Sequence, residues 1–244
     1  MSETHHTARS SLPRSRLSSL PSRSLNSLRS RGIRPTLRIV RAYADDALFD
    51  LRYGVHTNRW VDLGDLEVVG DNRDQGCNYQ AVKALAFRSA MDSFQIPSDG
   101  VFVDYGSGKG RALLLSILYG FRRAVGIEFA PGLCREAEHS LDRFRARTGR
   151  SFEARVLNLD AVCYPVNDDD CVFFLFNPFE RKVLEQVLSN IRRSLESKPR
   201  SIHIVYTNPV HRRVLDDDPF WRTIGETDSG GLETFVYYRP VEGP

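Results

Sequence analysis

Residues Val101–Ser116, VFVDYGSGKGRALLLS, constrain the fold more than any other stretch of the chain. An apolar run of strand length meets an acid, Asp104. Gly106, Gly108 and Gly110 follow on alternate positions, and an apolar segment of helical period begins behind them. Strand, glycine turn and helix open a β–α unit, and in a parallel sheet that turn lies at the carboxyl edge, where open α/β sheets bind ligands. The alternation then continues. Strands are predicted at Val101–Asp104, Ala124–Glu128, Ala154–Leu157, Cys171–Phe176 and Ser201–Tyr206, with helices at Lys109–Tyr119, Pro131–Arg147 and Phe179–Leu195. Trp221–Glu226 and Leu232–Tyr238 flank TDSGG, a hairpin signal. Five β/α units and a hairpin predict an α/β fold: a doubly wound, mostly parallel seven-stranded sheet with a C-terminal antiparallel hairpin.

The chain ahead of this unit differs in composition. Residues 1–44 hold nine arginines and one acid, a net of +8, which leaves −5 for the rest against a total of +3. A Ser/Arg/Leu-rich stretch with scattered proline cannot bury enough surface to offset chain entropy. Residues 1–36 are therefore expected to be a disordered tail, residues 37–100 a helical and loop cover, and residues 101–244 the ligand-binding α/β domain. A helix is expected over Tyr79–Phe94, ending near Pro97, and a surface loop over the Gly/Asp/Asn-rich Val61–Asn78. The tail is open to four readings: a nucleic-acid arm, an organellar transit peptide, a phosphorylatable segment, or plain solvated chain. A cytoplasmic location is expected, or an organellar one if the tail is a transit peptide. Nucleic-acid binding is expected only through the basic tail, because the remainder is acidic. No apolar run approaches the ~20 residues of a membrane span. The four cysteines form no C-x-x-C pair, so free thiols and no structural metal are expected. The chain is expected to be monomeric.

Three ligands compete for the glycine turn. A phosphate loop needs G-x-x-x-x-G-K-[ST], which Val103 and Gly110 break. A dinucleotide fingerprint needs G-x-G-x-x-G, and its last slot here is Arg111. The pattern D-x-G-x-G-x-G is met by Asp104, Gly106, Gly108 and Gly110, with Ser107 between the first two glycines. It resembles the cofactor loop of the Rossmann-like, class I methyltransferases that use S-adenosyl-L-methionine (AdoMet). AdoMet has no phosphate but carries an amino group and a sulfonium, which favour a nearby carboxylate. A glycine-rich structural turn is the competing reading. Glu128 ends the second strand, where a carboxylate can accept from ribose hydroxyls, as it also does in NAD enzymes. Asp160 follows the third strand; it could accept from the adenine amino group, with the Ala161 N–H reaching a ring nitrogen. A helix cap is the plain alternative for either acid.

The fourth strand runs into Asn177–Pro178–Phe179. This resembles the D/N-P-P-Y/F signature of methyltransferases acting on planar nitrogen, with one proline in place of two. That resemblance implies that the Asn177 side chain and the next carbonyl accept from an amine, and that the Phe179 ring stacks on the acceptor. A strand-ending turn would use the same residues. Taken together the motifs resemble class I methyltransferases over residues 101–239. Within them, Phe49–Leu63, Tyr79, FVDYGSGKGRALLL and FLFNPF resemble bacterial proteins similar to the histone lysine methyltransferases that lack a SET domain. His56 stands where such relatives tend to have Asp. The resemblance implies residues 45–80 lying over an AdoMet site, with Tyr53, Trp60 and Tyr79 at the acceptor side or in the core. The expected acceptor is a protein lysine or another amine; a small-molecule O- or N-acceptor, or a non-catalytic nucleoside-binding regulator, are the alternatives. His203 is expected to be packed in its strand, and His211 to be a loop residue or a base.

Overall fold

A computed structural model describes residues 44–229 and 231–240. The expected tail, residues 1–36, lies outside the described residues. A helix over residues 44–53 (α1) comes first, followed by a strap of two single 3-10 turns, Leu63–Asp65 and Arg73–Gln75. Then follow α2 (Ala84–Ser93), β1 (Val101–Tyr105), α3 (Arg111–Tyr119), β2 (Arg123–Glu128), α4 (Pro131–Thr148), β3 (Glu153–Asn158) and β4 (Asp170–Phe176). The chain ends with α5 (Arg181–Ser197), β5 (Ile202–Thr207), the single turn α6 (Arg213–Asp216), β6 (Arg222–Ser229) and β7 (Leu232–Arg239).

The seven strands form one sheet in the order β3-β2-β1-β4-β5-β7-β6. β1 to β5 run parallel, and β7 pairs antiparallel with both β5 and β6. The order reverses between β1 and β4, so the carboxyl ends of β1, β2 and β4 converge on one crevice. Period-2 alternation sends Phe102, Val172, Phe174 and Val205 to the face covered by α1 to α4. Val103, Tyr105, Phe173, Leu175 and Ile204 point to the other face, under the Val183, Leu184, Val187, Leu188, Ile191 and Leu195 stripe of α5.

Two expectations are corrected. α2 begins at Ala84 rather than Tyr79, because Tyr79 is held in an antiparallel bridge to Val61. The third β/α unit has no helix: between β3 and β4 there is only the 3-10 turn Ala161–Cys163. Pro165 and the polar run Asn167–Asp170 forbid a longer helix there. Buried Tyr164 fills the gap, its hydroxyl donating to Asp170 Oδ2 at 2.9 Å.

No helix among the described residues is long and apolar enough to cross a membrane. All four cysteines carry free thiols.

Candidate active site

The glycine turn is stitched to the sheet by its own amides. Gly106 and Ser107 N–H both donate to the Ile127 carbonyl, at 2.9 and 3.0 Å. Gly106, Gly108 and Gly110 have φ of +74°, +53° and +80°, a region that costs an L side chain roughly 1–2 kcal/mol. Their missing Cβ atoms serve the protein itself. A Cβ on Gly106 would lie 2.5 Å from Pro178 Cβ, and one on Gly108 would lie 2.0 Å from the Tyr79 ring. One on Gly110 would lie 3.2 Å from Ala137 of α4. The bare main chain is thus covered in large part by Tyr79 and Pro178, where the sequence reading left it open for a ligand. Tyr79 is held against the loop by its hydroxyl, which donates to the Thr57 carbonyl at 2.6 Å.

Beside the turn lies a narrow cleft that opens to solvent. Tyr79, Gly106, Glu128, Asp160, Ala161, Asn177, Pro178 and Phe179 line it together. Asp104, Ser107, Gly108 and Gly110 do not. Ser107 turns away, its Oγ buried against Gly126 without a hydrogen-bond partner. Asp104 lies behind the loop, 3% exposed. Burial first, and the Glu128 charge second, push Asp104 up to about 8, and no donor among the described residues reaches its carboxylate.

Glu128 spans turn and cleft. Its Oε2 accepts from Gly108 N–H at 2.8 Å and its Oε1 from Ala130 N–H at 2.9 Å. Burial raises it, against the pull of these amides. Asp160 caps the 3-10 turn, accepting from Val162 N–H at 3.2 Å, and also accepts from Asn72 Nδ2 at 2.7 Å. The cap reading of Asp160 is therefore correct, and the same side chain still faces the cleft.

Residues 61–80 form the strap across the mouth. Val69 N–H donates to the Phe129 carbonyl at 2.9 Å, Asn72 to Asp160, and Gln75 accepts from Glu180 N–H at 2.7 Å. Each tie ends beyond a different strand. The strap brings in residues that the sequence reading missed: Asn72, Cys77 and, next to Glu128, the ring of Phe129 against Gly76. The position of Phe129, one past the strand-ending acid, was the available signal. Burial and the Glu180 charge raise the Cys77 thiol. Tyr53 and Trp60 stay out of the cleft. Tyr53 packs between Phe49 and Phe144, and Trp60 is half-exposed.

Asn177, at φ +43°, holds its Oδ1 3.4 Å from the Tyr206 hydroxyl. Phe179 is buried edge-on to Tyr105, so its ring belongs to the core layer and shows the cleft only one side. His211 N–H approaches the same Tyr206 hydroxyl at 3.4 Å, while His211 Nε2 and Glu180 Oε2 are 3.0 Å apart. A histidine paired with a carboxylate is thus linked to Asn177 through the Tyr206 hydroxyl, outside the residues that line the cleft. His203, the second residue of β5, packs on Tyr238 with ring centroids 4.7 Å apart and planes tilted by 33°. No group of three or more His, Cys, Asp or Glu among the described residues could hold a metal ion.

Arg111 sits at the root of α3 and is 1% exposed. It reaches Asp46 Oδ1 at 2.6 Å, Asp50 Oδ1 at 3.0 Å and Thr57 Oγ1 at 2.8 Å, over the Phe49 ring. The residue that broke the dinucleotide pattern thus joins the glycine turn to α1.

No family model matches the chain, and no curated protein matches it. Solved structures do. A protein from Escherichia coli, provisionally assigned as a methyltransferase, superposes with a TM-score of 0.51 at 17% identity, covering 72% of this chain and 99% of its own. An RNA methyltransferase from Salinibacter ruber, solved with S-adenosyl-L-homocysteine, gives 0.47 at 20% identity over 65% and 92%. The Escherichia coli likeness, with the strand order above, establishes that this chain has the Rossmann-like fold of the class I methyltransferases.

Proposed function

We propose that this protein is an AdoMet-dependent methyltransferase that transfers the methyl group to nitrogen, on a protein lysine or another amine. One observation carries the reading: two buried carboxylates, Asp104 and Glu128, stand at the ends of adjacent strands, and Asp104 has no donor among the described residues. A buried carboxylate without a partner is costly, and a cation relieves that cost. The amino group and sulfonium of AdoMet supply positive charge without the phosphates that a nucleotide site would have to neutralise.

Glu128, which lines the cleft, would accept from the ribose hydroxyls with its spare lone pairs, and Asp104, behind the loop, would favour the ligand's positive charge from there without touching it. Asp160 and Ala161 would face the base. Tyr79, Phe129 and the strap exclude water from the cleft, which strengthens every polar interaction inside. When bound, the sulfonium supplies an already activated methyl group. The chain then has to position the acceptor, and Asn177 offers its carbonyl and Oδ1 to the N–H groups of an amine that arrives unprotonated.

The His211–Glu180 pair favours a second reading, methyl transfer to a small-molecule hydroxyl. A hydroxyl must lose its proton during transfer, and an imidazole linked to Asn177 through Tyr206 can take it.

Calorimetry with AdoMet and NAD, followed by incubation of whole lysate with AdoMet tritiated on the methyl group, tests the proposal. Binding of AdoMet alone and label in protein are expected. Label in RNA or small molecules would overturn the acceptor class. Binding without transfer to any fraction would leave a nucleoside-binding regulator.

A further inference from the structure

The acidic balance of residues 45–244 hides a segregated surface. Helix α4 carries Arg135, His139, Arg143 and Arg147 at intervals of four residues, and all four are exposed. Residues four apart on a helix stand nearly in line, each step rising about 6 Å, so these side chains make a ridge roughly 18 Å long. The ridge begins beside the cleft, since Leu133 in the first turn of α4 lines it. The segment after α1 runs alongside. Arg143 Nη1 donates to the Gly54 carbonyl at 3.0 Å and Arg147 Nε to the Arg52 carbonyl at 3.2 Å. His56 faces Arg135, His139 and Arg143 across an open groove. Arg52, in the last turn of α1, and Arg59, on the segment after it, are exposed, and Trp60 follows, 52% exposed.

The acids of α4 leave most of this charge uncompensated. Glu136 is tied to Lys109 at 2.8 Å, and Asp142 to Arg145 at 2.9 Å. Only Glu138 remains on the helix without a partner among the described residues. Aligned cations and, four residues past His56, an exposed indole match a flexible polyanion that has rings to stack. The geometry points to α4 and residues 52–60 as a binding face for single-stranded nucleic acid. The phosphates would lie along the arginine ridge and a base would stack on Trp60. This face is independent of the methyl-transfer reading.

Anisotropy of a fluorescein-labelled oligouridine tests it. The full-length chain is used in two forms, native and with the seven arginines of residues 1–36 changed to Gln. Four phosphate contacts predict a log–log salt slope of about −2.8, a loss of about 50-fold between about 50 and 200 mM salt. Arg59→Gln with Arg135→Gln, neither of which makes a hydrogen bond or ion pair among the described residues, should reduce the slope by about 1.4 in both forms. Trp60→Ala should weaken binding about fivefold or more without changing the slope. An unchanged slope in the double variant would overturn the proposal. So would binding that vanishes in the tail-neutral chain, or polyglutamate competing as well as the oligouridine, the sign of an acidic protein partner. AdoMet affinity by calorimetry should be the same in every variant, so failure here and failure of the methyl-transfer reading are read separately.

Discussion

Asp104→Asn probes the charge logic of the cleft. Burial, helped by Glu128, lifts this carboxyl from 3.8 to about 8, so at about pH 7 it carries a proton in the empty protein. A cationic ligand favours the ionised form, and its binding expels that proton. If the bound carboxyl returns to its ordinary range, affinity follows the fraction ionised in the free protein. It then rises about 50-fold from about pH 6 to about pH 8 and levels off above. Asn cannot ionise, so the variant should lack this rise and bind more weakly at the upper end. Titration calorimetry with AdoMet in phosphate and in Tris, at about pH 7, should report release of about one proton by the native protein. The variant should release none. The α-amino group of AdoMet titrates near 8 in both experiments and cancels in the comparison. Stability gives a second reading. A carboxyl whose pKa is raised by folding binds more protons in the native state than in the unfolded one, between 3.8 and about 8. Stability of the empty protein therefore falls as pH climbs through that window, by at most about 6 kcal/mol at ~1.4 kcal/mol per unit. Asp104→Asn should remove that fall in urea denaturation. Equal proton release by the two proteins, or native stability flat across the window, would refute the argument.

Gly108→Ala should lower stability by about 2–4 kcal/mol in denaturant melts, because the new Cβ meets the Tyr79 ring at a positive φ. Gly132→Ala, a helical position with nothing within 4 Å, is the matched control and should stabilise by about 0.5–1 kcal/mol. Arg111→Met removes the guanidinium that Asp46 and Asp50 share, leaving Asp46 to Lys83 and Asp50 to Thr57 and the Asn58 N–H, and should cost about 2–3 kcal/mol in the same measurement. His211→Gln should leave AdoMet affinity unchanged. It should lower kcat about 100-fold or more on hydroxyl acceptors but not on amines, as single-turnover kinetics would show.

Much of the architecture is written locally. The strands, α4, α5 and the hairpin follow from periodicity and turn residues, and their register follows from which face of each strand is apolar. Asp104, Glu128, Asp160 and Asn177 fall at strand ends, where chain direction alone brings them to one edge. The unread parts depend on contacts distant in sequence. Nothing near Gly106 or Gly108 announces that Pro178 and Tyr79 will fill the space they leave. Arg111 looked like an obstruction until Asp46 and Asp50, some sixty residues earlier, came to meet it. The four-residue spacing from Arg135 to Arg147 was visible, but a net charge averages over faces and so masked it. The missing third helix was signalled by Pro165 and the aspartates after it, which a strict β/α alternation overrode.

The three fastenings of the strap end beyond β2, β3 and β4, so undoing any one of them leaves two that hold the span in place. Lifting the span off the mouth would therefore take a joint release of all three, and a ligand beneath it could exchange no faster than that release.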